Sequence, residues 1–199
     1  MRSFVFAFVL AFLLTGFPAA PADAAGDDGV RKPVVVLLPV INNSSQKHTR
    51  YMAEMVDEML QAKFNADRCW PVYGQGLMDT LRRQGVEDYR ALDSAAFLAV
   101  MQGLRADYVV RAEILPVVTQ QRLHFPDVFL LMKTWTATVP VAIRVTSVAS
   151  GATVYEATFT EWAKHDGFVG FTDRHYAIRP ALAKVLEKFS RETMIPEQG

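Results

Sequence analysis

Few residues in this chain have the types and spacing that site chemistry requires. The histidines are His48, His124, His165 and His175. His165-Asp166 and Asp173-x-His175 lie close together and could supply imidazole and carboxylate ligands to a metal, or an acid and a base to an enzyme. The other reading is a polar loop joining strand to helix, with Gly167 and Gly170 as its turn residues. The loop is preferred, because the two histidines lack the helical spacing of a metal-binding pair. His48 falls just before a helix, facing solvent or near its cap. His124 sits beside Phe125-Pro126 in a segment of ambiguous structure. The single cysteine, Cys69, is followed by Trp70-Pro71-Val72-Tyr73. That apolar setting suggests a buried thiol rather than a nucleophile or an intermolecular disulfide. No G-x-S-x-G motif, Walker loop or paired-cysteine zinc spacing occurs. Ser44 and Ser45 fit turn chemistry better than catalysis. The loop from Asn42 to Gln46 could cradle an anion at a helix N-terminus, but it has no glycine to let a phosphate approach. The expectation is no catalytic residue, no cofactor and no metal. A metal-binding protein or enzyme using His165, Asp166, Asp173 and His175 is the alternative.

Binding has better support. Phe125, Val128, Phe129, Leu130, Leu131 and Met132 form an apolar cluster beside turn-forming residues. Exposed, it would be a surface for a partner or for self-association; burial is expected for most of it, since consecutive apolar residues usually mark core. The stretch from Trp162 to Tyr176 scatters Phe168, Phe171 and Tyr176 among glycine and charge. Aromatic residues and glycine in a loop can make a binding surface, or can fold back over the core. The candidate interaction surface is therefore Phe125, Val128, Phe129, Leu130, Phe168 and Phe171.

The elements that must position these residues follow from periodicity. Val34 to Val40 is a continuous apolar run, a strand buried on both faces. A helix over Thr49–Phe64 has Met52, Met55, Val56, Met59, Leu60 and Lys63 on one stripe. A short strand from Cys69 to Tyr73 contains Pro71, which suggests an edge or an irregular strand. A second helix spans Gln75–Gln84, stopped by Gly85. A third follows Asp93, a natural N-cap, and ends near Arg105. Tyr108 to Leu115 is a strand. From Lys133, Trp135, Ala137, Val139, Val141, Ile143 and Val145 alternate with polar or small residues, the pattern of a strand with one face buried. Ser147 to Gly151 is a turn, and Thr153 to Trp162 returns as the second strand of a hairpin. The C-terminal helix, marked by Ile178, Ala181, Leu182, Val185, Leu186 and Phe189, should begin near Arg179 because Pro180 suits only a first turn. The fold class is α/β: a two-layer sandwich with a mixed sheet, a long C-terminal β-hairpin and helices packed on the sheet.

Composition sets the class. The 199 residues carry formal net charge +0. Neutrality argues against a nucleic-acid partner, which calls for a basic face. Met1-Arg2-Ser3, the apolar run from Phe4 to Leu14, then Pro18 and Ala22-Asp23-Ala24 read as a cleavable secretory signal peptide over residues 1–25. The run is shorter than the ~20 residues a spanning helix needs. No cysteine stands at the cleavage site for lipid attachment. A flexible N-terminus (26–32) and a single α/β domain (33–195) should follow, with no stable membrane insertion, in the periplasm or secreted. A lipid or small-ligand carrier would need a cavity between sheet and helices.

The strand Val34–Val40 followed at once by Asn42-Asn43-Ser44 resembles the opening of a bacterial envelope superfamily. Its members include the curli secretion lipoprotein CsgG, the penicillin-binding-protein activator LpoB and the N-terminal domain of TolB. The segment Gly103-Leu104-Arg105-Ala106-Asp107-Tyr108-Val109-Val110 is similar to that family's Gly/Ala-Asp-Tyr strand. The hairpin with Ser150-Gly151 at its turn and the last helix with Ala177, Ala181-Leu182 and Val185-Leu186 also fit. The resemblance covers about Pro33 to Glu192. It departs from the family in lacking the lipid-anchoring cysteine and the propeller that follows the TolB domain. The segment from Gln120 to Trp135 is short and contains Pro126, unlike a pore-forming insertion. What the resemblance implies is a fold and protein-binding work at the cell envelope, with an envelope protein or a second copy of the chain as partner.

Overall fold

A computed structural model describes residues 31–45, 50–127 and 130–192, with backbone alone at 126, 127 and 130. The chain divides into two units at Lys32/Pro33, and the second holds the fold. Residues 1–30, which include the expected signal peptide, lie outside the described residues. Strands β1 (Val34–Leu37) and β2 (Ile41–Asn42) lead to helix α1 (Arg50–Lys63), then β3 (Trp70–Val72) and α2 (Gly74–Arg83). A 3-10 turn at Tyr89–Ala91 precedes α3 (Ser94–Gly103), β4 (Tyr108–Ile114), β5 (Val118–Asp127), β6 (Leu130–Ser147), β7 (Thr153–Phe168) and α4 (His175–Arg191). This is the α/β class expected, with a mixed sheet, helices packed on it and a long β6–β7 hairpin.

All four residues of β1 are buried, as a strand covered on both faces requires. It lies between β3 and β4, parallel to both. β3 is an edge strand, which tolerates Pro71. The Asp107 that belongs to the family-like segment has a structural task. Val34 N–H donates to its Oδ2 at 2.7 Å, its own N–H donates to Val34 O at 2.8 Å, and its carbonyl accepts from Val148 N–H at 2.9 Å. One residue thus fastens β1, the start of β4 and the turn after β6. Asp93 caps α3 by accepting from Ala96 N–H at 2.7 Å.

The alternating residues of the sheet separate two apolar clusters. On one face Val35, Leu37, Val110, Ala112, Ile114 and the β6 series from Ala137 to Val145 pack against α1 and α4. On the other, Val36, Leu38 and Val109 meet Leu77 and Leu81 of α2 and Met101 of α3. Over β6 and β7 the arrangement has two layers, sheet and helix; at the β3–β1–β4 end α2 and α3 cover the opposite face as well.

Several boundaries differ from the sequence expectation: β1 ends at Leu37 rather than Val40, and Ile41–Asn42, expected in the turn, forms the short strand β2. A strand not foreseen, β5, pairs with β6 from Val118↔Thr138 to Asp127↔Leu130. β7 continues to Phe168 rather than ending at Trp162. α4 begins at His175, ahead of Arg179, with Pro180 inside it. Ile178 N–H donates to Arg174 O at 3.0 Å, so the helical ladder is already running before the proline. Only the bond to the Tyr176 carbonyl is forgone, at a position where Pro180 is exposed.

β6 has 18 residues, roughly 60 Å at ~3.3 Å per residue. Its C-terminal part, Val141–Ser147, pairs with β4, and Leu130–Thr138 pairs with β5 on the same side. Between them Leu115 N–H donates to Pro140 O at 3.0 Å. N–H and C=O of one strand residue point the same way, so the donor that Pro140 lacks would face this seam. There the ladder is already broken, which is where a proline is tolerated within a sheet. β5, β6 and β7 extend past the seam as a three-stranded arm.

α4 ties the layers together. Phe189 is fully buried and meets Phe159 of β7 edge to face, centroids 5.7 Å apart. Lys63, in the last turn of α1, donates to the Phe189 and Ser190 carbonyls at 3.0 and 2.9 Å, capping α4 from outside. Phe189→Ala should cost about 3–5 kcal/mol. Urea unfolding would show it as a lower midpoint at unchanged slope.

Candidate interaction surface

The arm has two faces, set by strand alternation. Thr134↔Asp166, Thr136↔Lys164, Thr138↔Trp162 and Met132↔Phe168 are cross-strand pairs on one face, joined from β5 by Val118, Gln120, Arg122 and His124. The other carries Ala137↔Ala163, Trp135↔His165 and Lys133↔Gly167. The second face is buried near the core, where Ala137 and Ala163 lie. The first is largely open: Val118 is 56% exposed, Trp162 59% and Phe168 52%.

Of the expected surface residues, Phe125 is 71% and Phe171 84% exposed, and with Phe168 they lie at the distal end of the arm. Leu130 pairs there with Asp127 through its backbone. Val128 and Phe129, and the side chain of Leu130, lie outside the described residues. Leu131 and Met132, the described members of the run expected to be mostly buried, are half-buried. Four exposed members escaped the sequence reading: Val118, Leu123, Trp162 and Val169. Their signal was faint. Leu123 stands among Gln120, Gln121 and Arg122, and Trp162 was read as the end of its strand.

The turn after β7 is pinned to the arm. A Cβ at Gly167 would lie 1.9 Å from Thr172 Cγ2, so only glycine lets the chain pass this close without displacement. Gly170 takes φ +94, a left-handed turn. Thr172 Oγ1 donates to Phe168 O at 3.3 Å, and Phe171 N–H donates to the same carbonyl at 3.1 Å. These contacts hold Phe168 and Phe171 together.

The histidine and aspartate residues are distributed differently from the loop expected. His165 and Asp166 are neighbours in β7 and therefore point to opposite faces. His165 stacks on Tyr176 of α4, with centroids 4.8 Å apart and planes at 18°. Asp166 accepts from Thr134 Oγ1 at 2.5 Å and pairs with Lys164 at 2.9 Å. His124 Nδ1 lies 3.4 Å from the same Thr134 hydroxyl. His175 meets Tyr51 edge to face, centroids 6.0 Å apart. Asp173 is exposed, and its carbonyl accepts from Tyr176 N–H. Among the described residues, no group of three or more His, Cys, Asp or Glu is placed to hold a metal ion. Cys69 is buried, with Asn65 O 3.6 Å from its Sγ. In the loop after β1, Ser44 N–H donates to Asn42 Oδ1 at 3.0 Å, an Asx turn. His48 lies outside the described residues.

The Thr134 hydroxyl bond, then Lys164, holds the Asp166 carboxyl below its ordinary value. The depressed carboxylate contributes stability above its unfolded value of about 3.9, lost as pH falls through the lower folded value. In Thr134→Val, an NMR titration should show the Asp166 pKa rising towards that ordinary value. An unchanged titration would mean that Lys164 alone sets it. Gly167→Ala should displace Thr172 and weaken its bond to Phe168, costing about 1–3 kcal/mol as overpacking does. A thermal melt would read the loss.

No protein-family model matches the chain, and no curated protein matches it. Solved structures do. The Helicobacter pylori protein described as a neuraminyllactose-binding hemagglutinin homolog superposes with a TM-score of 0.51 over 79% of this chain and 81% of its own, at 11% identity. Lipoprotein GNA1162 from Neisseria meningitidis gives a TM-score of 0.45 over 80% of this chain and 99% of its own, at 10% identity. The LpoB C-terminal domain from Salmonella enterica gives 0.43 over 67% and 85%, at 15% identity. At such identities a likeness concerns fold and not function. Of these three, the first superposes closely enough to show that this chain shares its α/β fold.

Proposed function

We propose that the chain is an exported, non-enzymatic protein of the bacterial envelope that binds another envelope protein, alone or as a homo-oligomer, through the end and open face of its β5–β6–β7 arm. The observation that carries this reading is the exposure of Phe125, Phe168, Phe171 and Trp162 on one projecting element. Large apolar side chains clustered at a surface mark interaction sites, and aromatic residues are the usual anchors. They sit beside charged groups, with Lys164 and Asp166 paired on the same face, as in an interface with a polar rim. The export part rests on the signal-like residues 1–25, with residues 26–32 as a flexible lead and 33–195 as the single domain. It places the protein in the periplasm or outside the cell, like the envelope superfamily that the sequence resembles. Among the described residues no helix is long and apolar enough to cross a membrane.

Site-specific photocrosslinkers at Phe125, Phe168 and Phe171 in the native envelope should each capture the same partner. Serine at all three positions should weaken that capture by more than tenfold while leaving the far-UV circular dichroism unchanged. Capture of the chain's own copies alone would replace a heterologous partner by self-assembly. No capture at any of the three would overturn the reading. N-terminal sequencing of the exported protein should begin near Ala25 or Gly26; an intact Met1 would make the segment an anchor.

A further inference from the structure

A second feature lies where α1 meets α4. Tyr51, Glu54, Met55 and Glu58 from α1, and His175 and Arg179 from α4, line a solvent-open cleft of about 380 Å³. Tyr51 Oη and His175 Nδ1 are buried behind this lining, and neither has a hydrogen-bond partner among the described residues. A buried polar atom left unpaired bears its full desolvation cost, so a small turn of either ring that let a polar occupant of the cleft reach it would be repaid. Burial raises the Tyr51 phenol above its ordinary value, against the pull of Arg179 and with help from Asp173. The phenol therefore stays protonated and able to donate.

The charges divide by wall. α1 brings the two carboxylates and α4 brings the guanidinium. Glu54 pairs with Arg50 of its own helix at 3.0 Å. Glu58 and Arg179 face the same cleft from different helices, yet neither forms an ion pair with the other or with another described residue. A simple anion would meet the two glutamates, and a simple cation would meet Arg179. A molecule carrying both signs satisfies both walls. Met55 supplies an apolar contact, and the two orphaned atoms would bond to a polar occupant once either ring turned towards the cleft.

We infer that this cleft binds a free α-amino acid, with its carboxylate towards Arg179 and its ammonium towards Glu58. The inference is independent of the arm and of export. Calorimetric titration of the mature chain with each standard L-amino acid, and with acetate and methylamine as single-charge controls, tests it. At least one amino acid should saturate with a Kd near or below about 1 mM. Glu58→Gln and Arg179→Gln should each weaken it by about tenfold or more, and Tyr51→Phe by several-fold. Both charged positions are exposed, so these variants should keep the wild-type circular dichroism. Serine at Phe125, Phe168 and Phe171 should leave the titration unchanged, which separates this site from the arm. Three results would overturn the inference: no saturation by any amino acid at about 10 mM, roughly −2.7 kcal/mol; acetate or methylamine binding as tightly; or both charge variants binding like the wild type.

Discussion

β6 is the strand on which the rest of the structure depends. It pairs with β4, then β5, along one side and with β7 along almost its whole length on the other. Through β4 it joins the parallel β1 and β3, and through its face from Ala137 to Val145 it supplies the floor on which α1 and α4 pack. A strand slipped by one residue would turn that face to solvent. Register is therefore enforced by five consecutive inward positions, Ala137, Val139, Val141, Ile143 and Val145, all buried. Pro140 sits between them without penalty because its missing donor faces the seam between β4 and β5.

The same seam explains the arm. Beyond Pro140 β4 no longer accompanies β6, and the outer face stays uncovered by α2 and α3, as it is along the rest of the hairpin. What remains is a three-stranded antiparallel ribbon, with one face on α4 near its base and the other open. Such a ribbon needs three strands to be stable, so β5 is what lets β6 and β7 project. The stack of His165 on Tyr176 and the close passage of Thr172 over Gly167 anchor the third strand to the first turn of α4. Position and rigidity of the exposed aromatic residues thus derive from α4.

Where burial imposed a strong period, the sequence was readable. β1, α1, β4 and the core half of the hairpin are covered by tertiary structure, and their apolar spacing records it. β5 is an edge strand with polar residues on much of both faces, so Thr119-Gln120-Gln121-Arg122 carries no such record. The last turn of β7 was missed for a related reason: Ala163-Lys164-His165-Asp166-Gly167 alternates too weakly once the core is passed. Pro180 misplaced the start of α4, because a proline on an exposed helix side costs one hydrogen bond rather than the helix. At the surface, Phe125, Phe168 and Phe171 were legible as aromatic residues out of pattern. Trp162 was not, since the same alternation that places it on the open face also made it look like an ordinary strand residue. The juxtaposition of Tyr51 with His175 depends on helix packing between segments far apart in the chain, which no local pattern carries.

The outer edge of β7 bears on where a partner can dock. Among the described residues β7 pairs only with β6, so a 16-residue strand leaves one side of its backbone without a strand partner. A free edge of that length invites pairing with another chain. Here α4 obstructs it. Lys184 donates to the Trp162 carbonyl at 3.1 Å, with its ammonium 5.6 Å from the Trp162 ring centroid. Lys188 pairs with Glu161 and holds that carboxyl below its ordinary value. Two lysines one turn apart on α4 therefore occupy the middle of the edge, and an incoming strand would have to displace a charge to bond there. Recognition by backbone pairing is disfavoured along the central edge. Recognition through side chains is left to the open face and the end of the arm, where Phe168 and Phe171 are exposed.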